Sequence, residues 1–307
     1  MSTKKTIRRA FNFLVLGIAI ISFLSTQTSC TNSTQNDKNK VVTVSIPPIK
    51  YLVDRISGNE LAVNVMVSTG ACQETYEPTP SQMKDVAQSE LYFGIKPLEF
   101  EMKWIDNIKK NNQKLRYINL AEGMACEEAT CNHEAGHDDH GHNHEGVDPH
   151  LWLSPTNYGK MAQKVLDALL AYNPKSKEKY VANFTKLQQE IDSIDKDART
   201  KLLGLKNKQF VIYHPALTYF ANDYNLKQTA IEQNGKEPAA DYLKRIVKES
   251  KANGIKTIFV QKEFDLSLIK SFAIEVGASI EPINTFAYNW IESTSQIVNA
   301  LYTANHE

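Results

Sequence analysis

Six of the eight histidines in this 307-residue chain fall between His133 and His150. Neutral imidazole is the commonest protein ligand for transition metals, so this concentration points to divalent-cation chemistry. The first five, His133, His137, His140, His142 and His144, stand among Gly, Asp, Glu and Asn. A stretch of that composition has no apolar face to bury, and it reads as a mobile loop that collects metal. His150 is different: it sits in Asp148-Pro-His-Leu-Trp-Leu-Ser-Pro155, where the polar run stops and buriable residues begin. Three more segments set ligand-type side chains after a strand or inside a Pro-bounded loop. They are residues 70–80, residues 211–215 with His214 and, more weakly, residues 281–290. Glu77, Asp148 and Glu263 are carboxylates suited to orienting a ligand imidazole. Tyr76, Trp152 and Trp290 are read as cleft packing.

These residues need a scaffold, and short apolar runs alternating with helical patterns imply an α/β fold. Strands are predicted over residues 41–46, 61–67, 91–93, 116–120, 209–213, 256–261 and 278–283. Ser154-Pro155 is a helix start, with Ser as N-cap and Pro in the first turn. From Pro174 to about Leu203, Tyr180, Phe184, Leu187, Ile191, Ile194, Ala198 and Leu202 recur at steps of three and four. That is one apolar stripe on a helix roughly 40 Å long. The expected architecture is two α/β lobes, residues 41–173 and 205–307, joined by a long rigid helix over residues 174–204. The His-rich loop, residues 131–147, belongs to the first lobe. Ligands of such sheets bind at the carboxyl ends of strands, so a two-lobed chain binds in the cleft between lobes.

The formal net charge is zero, which leaves no electrostatic footprint for nucleic acid. Lys4, Lys5, Arg8 and Arg9 precede an apolar stretch over residues 11–24, the layout of a secretory signal occupying residues 1–29. Cys30 follows Thr28 and Ser29 and resembles a bacterial lipoprotein processing site, with Gln27 where an aliphatic residue is usual. Residues 31–40 contain no large apolar side chain and suit a tether from a lipid on Cys30, so residues 30–40 are read as linker. Cys72, Cys126 and Cys131 remain. An exported chain can keep one disulfide among them, with the pairing open, or use Cys126 and Cys131 with loop histidines as a soft metal site.

The motif Asp148-Pro-His-Leu-Trp-Leu-Ser-Pro155 after a His/Asp-rich loop, the run Tyr76-Glu-Pro-Thr-Pro80 and the strand ending in His214 together resemble a known family. They are similar to the ZnuA/TroA-like (cluster A-I) metal-binding lipoproteins of bacterial zinc or manganese ABC importers, over nearly the whole exported part. The resemblance implies two lobes, one rigid helix and a single metal between the lobes. It implies His150 and His214 as ligands, Glu74 where the family's first ligand is usually histidine, and Asn284 where many members carry an aspartate ligand or supporting group. Gln261 stands where many members have Glu. Two imidazoles and a carboxylate form a common zinc set; an extra oxygen at Glu74 favours Mn2+ or Fe2+, and the neutral Asn284 moves the balance back toward Zn2+. The expected function is therefore capture of a divalent metal, foremost zinc, by a lipid-anchored monomer that faces the periplasm or cell surface and delivers to an ABC permease. A Mn2+ or Fe2+ carrier and a surface adhesin with a structural metal are the alternatives. A zinc hydrolase is disfavoured, since no His-Glu-x-x-His or comparable base accompanies the histidines.

Overall fold

The structure, a computed structural model, describes residues 40–68, 70, 76–125, 147–232, 238–264 and 267–306. Cys30, Glu74, His133, His137, His140, His142, His144, Cys72, Cys126 and Cys131 lie outside the described residues.

Two four-stranded parallel sheets organise the chain. The first contains β1 (Val41–Val44), β2 (Ala62–Val65), β3 (Leu91–Gly94) and β4 (Arg116–Asn119), in the order β2-β1-β3-β4. The second contains β5 (Gln209–Ile212), β6 (Lys227–Ala230), β7 (Thr257–Gln261) and β8 (Ser279–Ile283), in the order β6-β5-β7-β8. The two orders are the same. In each sheet the winding reverses direction between the two central strands, β1/β3 and β5/β7. Helices cover both faces of such sheets, and the sequence reflects it: the central strands are buried almost throughout, while β2, β4, β6 and β8 at the edges are more exposed. The short, polar β6 reads Lys-Gln-Thr-Ala and carries no apolar signal, so sequence reading passes over it.

Around the first sheet lie α1 (Pro47–Ser57), α2 (Pro80–Val86) and α3 (Glu99–Asn111). Helix α1 opens on a Pro pair, which gives up no hydrogen bond because first-turn N–H groups are unpaired anyway. It ends at Gly58, whose φ of 69° is left-handed and favours a residue without Cβ. Helix α4 (Pro155–Tyr172) starts as expected: Ser154 accepts from the Asn157 N–H at 3.0 Å.

The long helix is α5 (Lys177–Leu202), preceded by a single 3₁₀ turn at Pro174–Ser176. Its buried stripe is Tyr180, Leu187, Ile191, Ile194, Ala198 and Leu202, with Phe184 only partly covered. It holds both halves of the molecule. Arg55 on α1 makes a two-pronged bond to Glu190, at 3.0 and 2.6 Å, and the Asn183 amide donates to the Ile56 carbonyl. Toward the second sheet, Tyr224 donates to Asp195 at 2.9 Å, and Lys201 donates to Asn299 on α9 (Trp290–Asn305) at 2.7 Å. Helices α6 (Thr218–Asp223), α7 (Ala240–Ala252) and α8 (Ser267–Val276) complete the second lobe. A continuous apolar core runs through both lobes and α5. No helix among the described residues is long and apolar enough to cross a membrane.

Candidate metal site

Asp148 makes His150 rigid from two positions away. One carboxylate oxygen accepts the His150 backbone N–H at 2.8 Å and lies 2.7 Å from ring Nδ1. Pro149 between them fixes the backbone angle that lets a single oxygen serve both groups. Burial alone would raise the Asp148 carboxyl; attraction to His150 and the bonds from His150 and Thr218 outweigh it and hold the group below the ordinary aspartate range.

The segment carrying His150 is then clamped to the second lobe. The Tyr219 hydroxyl donates to the Asp148 carbonyl at 2.8 Å. The Trp152 indole donates to the Thr285 carbonyl at 2.9 Å, and the Trp290 indole donates to the Trp152 carbonyl at 2.7 Å. Ser154 donates to Asp223 at 2.6 Å. Both tryptophans are buried, and the Trp152 ring lies 5.2 Å from that of His150. They pack the cleft as expected, and their N–H groups also set the register between lobes.

His214 is reached differently. It lies two residues past the end of β5, beside the β5/β7 reversal point. Its Nδ1 is 3.1 Å from Glu232, which follows β6 and is itself tied by its backbone N–H to the Tyr213 carbonyl at 2.9 Å. Gln261, at the end of β7, grips the His214 main chain: its amide donates to the carbonyl at 2.6 Å and its oxygen accepts the N–H at 3.4 Å. The Phe264 ring stacks on the imidazole, centres 5.6 Å apart.

These two arms bring His150 and His214 together. Their ring centres are 5.1 Å apart with planes at 66°, and the residues are 4% and 8% exposed. Two imidazoles on one tetrahedral zinc, with Zn–N bonds of about 2.0–2.1 Å, hold their ring centres about 5 Å apart. A carboxylate at Nδ1 keeps the proton on that nitrogen and directs the lone pair to Nε2, the arrangement metal-ligating histidines use. Among the described residues, no three His, Cys, Asp or Glu side chains form a ready ligand group.

The remaining sequence-predicted residues are placed as follows. The described flanks of the Glu74 segment sit near the carboxyl end of β2. Tyr76 packs on Phe100 and donates to Gln82 at 2.7 Å, and the Gln82 amide donates to the Met66 carbonyl at 2.7 Å. Asn284 uses its side-chain oxygen to accept the Phe286 N–H at 3.1 Å and lines a groove between β8 and α9. It is not part of the paired-imidazole contact, but its turn presents the Thr285 carbonyl to Trp152. Glu77 is exposed. Glu263, in the turn after β7, lies within electrostatic range of both imidazoles, and burial pushes its carboxyl above the ordinary range. Glu232 was not foreseen from sequence. Its only signal is a carboxylate just past a strand that has no apolar pattern.

Residues 42–304 match the family described as ZnuA, zinc-uptake complex component A, periplasmic. Among curated proteins, the zinc-binding lipoprotein AdcA of Streptococcus pneumoniae is 27% identical over 83% of this chain and 52% of its own length. The high-affinity zinc uptake system protein ZnuA of Bacillus subtilis is 25% identical over 82% of this chain and 79% of its own. The chain thus spans about half the length of the streptococcal relative. A crystal structure of a ZnuA deletion mutant with zinc bound is 30% identical, covers 87% of this chain and 98% of the other, and superposes with a TM-score of 0.79. The family is one of transport components, not enzymes.

Proposed function

Since the chain belongs to the ZnuA family of zinc-uptake components, we propose that it is an extracytoplasmic binding protein that captures Zn2+ and hands it to an ABC import permease. The observation that carries this reading is the pair of buried imidazoles, 5.1 Å apart, each with a carboxylate at Nδ1. The proposed ligands are His150 and His214 through Nε2, together with Glu74, which lies between β2 and α2 in the sequence. Asn284 contributes through its turn, which holds Trp152 against His150. Zinc suits this set because it accepts a mixture of imidazole and carboxylate without imposing a geometry of its own.

The wider assignment follows the sequence. Residues 1–29 direct export, Cys30 carries lipid, and residues 30–40 tether a monomeric binding unit to the membrane face. Lobes over residues 41–173 and 205–307 flank the linking segment over 174–204, which contains α5. The loop histidines His133, His137, His140, His142 and His144 gather metal weakly and feed the tight site. Titration calorimetry with zinc tests the reading: His150→Ala and His214→Ala should each weaken the tight site by more than about a hundredfold, beyond the 10–100-fold typical of losing a supporting group. Wild-type affinity in either variant would remove that residue, and in both would sink the proposed site.

A further inference from the structure

Both Nδ1 positions of the paired histidines already have carboxylate partners, Asp148 for His150 and Glu232 for His214. Glu263 is a third carboxylate within electrostatic range of both rings, and it takes neither of those places. An orienting role is therefore filled twice without it.

Topology puts Glu263 where a ligand belongs. The winding of the second sheet reverses between β5 and β7, and open α/β sheets take their ligands in the crevice beyond the strand ends at that point. His214 leaves β5 on one side of the crevice; Glu263 leaves β7 on the other. The turn that carries it is pinned throughout. Gln261 before it grips the His214 main chain through two hydrogen bonds. The Lys262 N–H donates to the Ile283 carbonyl at 3.0 Å, and the Phe264 N–H closes the turn on the Gln261 carbonyl at 3.1 Å. Phe264 after it stacks on the His214 ring and packs edge-on against Tyr213. Gln261, two residues before Glu263, and Phe264, directly after it, thus both contact His214, and the Glu263 side chain is partly buried.

We propose that Glu263 is a further ligand of the captured cation, recruited by rotation of its side chain when metal arrives between His150 and His214. Rotation is needed because no three ligand-type side chains among the described residues yet converge. The backbone of the turn is held, so the movement is confined to the three side-chain torsions of one glutamate. This inference rests on the proposed metal site and deepens it. It makes the second lobe the source of an imidazole and a carboxylate together, and it gives the site an anionic oxygen that harder cations such as Mn2+ value more than zinc does.

The test uses the full exported chain and three metals as probes: Zn2+, Mn2+ and Co2+, whose visible absorption reports the ligand shell. Glu263→Gln should lower zinc affinity by at least about tenfold, lower manganese affinity further, and change the cobalt spectrum. Glu263→His replaces the carboxylate by an imidazole; it should keep zinc affinity within a few-fold and lose manganese. If Glu263→Gln binds zinc with wild-type affinity and an unchanged cobalt spectrum, or Glu263→His keeps wild-type manganese affinity, the proposal is overturned. His214→Ala, run in parallel, separates the two failures. Loss of binding there with no effect at Glu263 leaves the metal site standing and removes only Glu263.

Discussion

The two histidines at the centre of the molecule reach the same place by opposite routes. His150 is positioned by its own neighbourhood: Asp148, two residues away, holds both its backbone and its ring. His214 is positioned by the fold. Glu232, 18 residues on, takes its ring, and Gln261, 47 residues on, takes its main chain. One arm is a local motif docked onto the second lobe by Tyr219, Trp152 and Trp290; the other is the crevice of the second sheet itself. The local arm can keep its shape with little help, whereas the distributed arm exists only when β5, β6 and β7 are in register.

That difference accounts for what could be read from sequence. Asp148 and His150 are legible because Asp-Pro-His is a compact unit whose geometry follows from adjacency. The long helix is legible because its stripe repeats for about six turns, and Ser154-Pro155 announces the start of the helix before it. Glu232 is not legible. Its partnership depends on β6 pairing beside β5, and Lys-Gln-Thr-Ala has neither alternation nor β-branched enrichment to mark a strand. The turn that Asn284 closes behind Trp152, by accepting the Phe286 N–H at 3.1 Å, has no sequence signal of its own.

The largest effect that sharpens the contrast is acid. A proton competes with the cation for each imidazole lone pair, so zinc affinity should fall steeply as the solution is acidified. Asp148 does not share in that fall. Its carboxyl is held below the ordinary aspartate range, so its contribution is fully present above the unfolded value and is lost only as pH drops through the lower folded value. Asp148→Asn should therefore lower zinc affinity at neutral pH, where the carboxylate is fully charged, and calorimetric zinc titration checks it; unchanged affinity would contradict the assignment.

Next in size is the loss of a whole orienting group. Asp148→Ala should cost about a hundredfold in zinc affinity, because backbone and ring are released together, and Glu232→Gln about tenfold, because Gln261 still holds the main chain. Calorimetry that ranks them the other way would break the distinction between a local and a distributed arm. The smallest effect belongs to the docking of the local arm. Tyr219→Phe removes one hydrogen bond to the Asp148 carbonyl, worth about 1 kcal/mol. It should appear as a slightly lowered melting temperature of the metal-free protein and a few-fold weaker zinc binding. No change in either would mean that the loop carries its own geometry entirely.

The central claim is that one tight cation is held by His150 and His214 and not by the His-rich stretch. It is tested most directly by zinc titration of a chain lacking residues 133–144, with and without His214→Ala. One tight site should be retained in the deletion and abolished when His214 is also replaced. Loss of the tight site on deleting the loop, or its survival without His214, would contradict it.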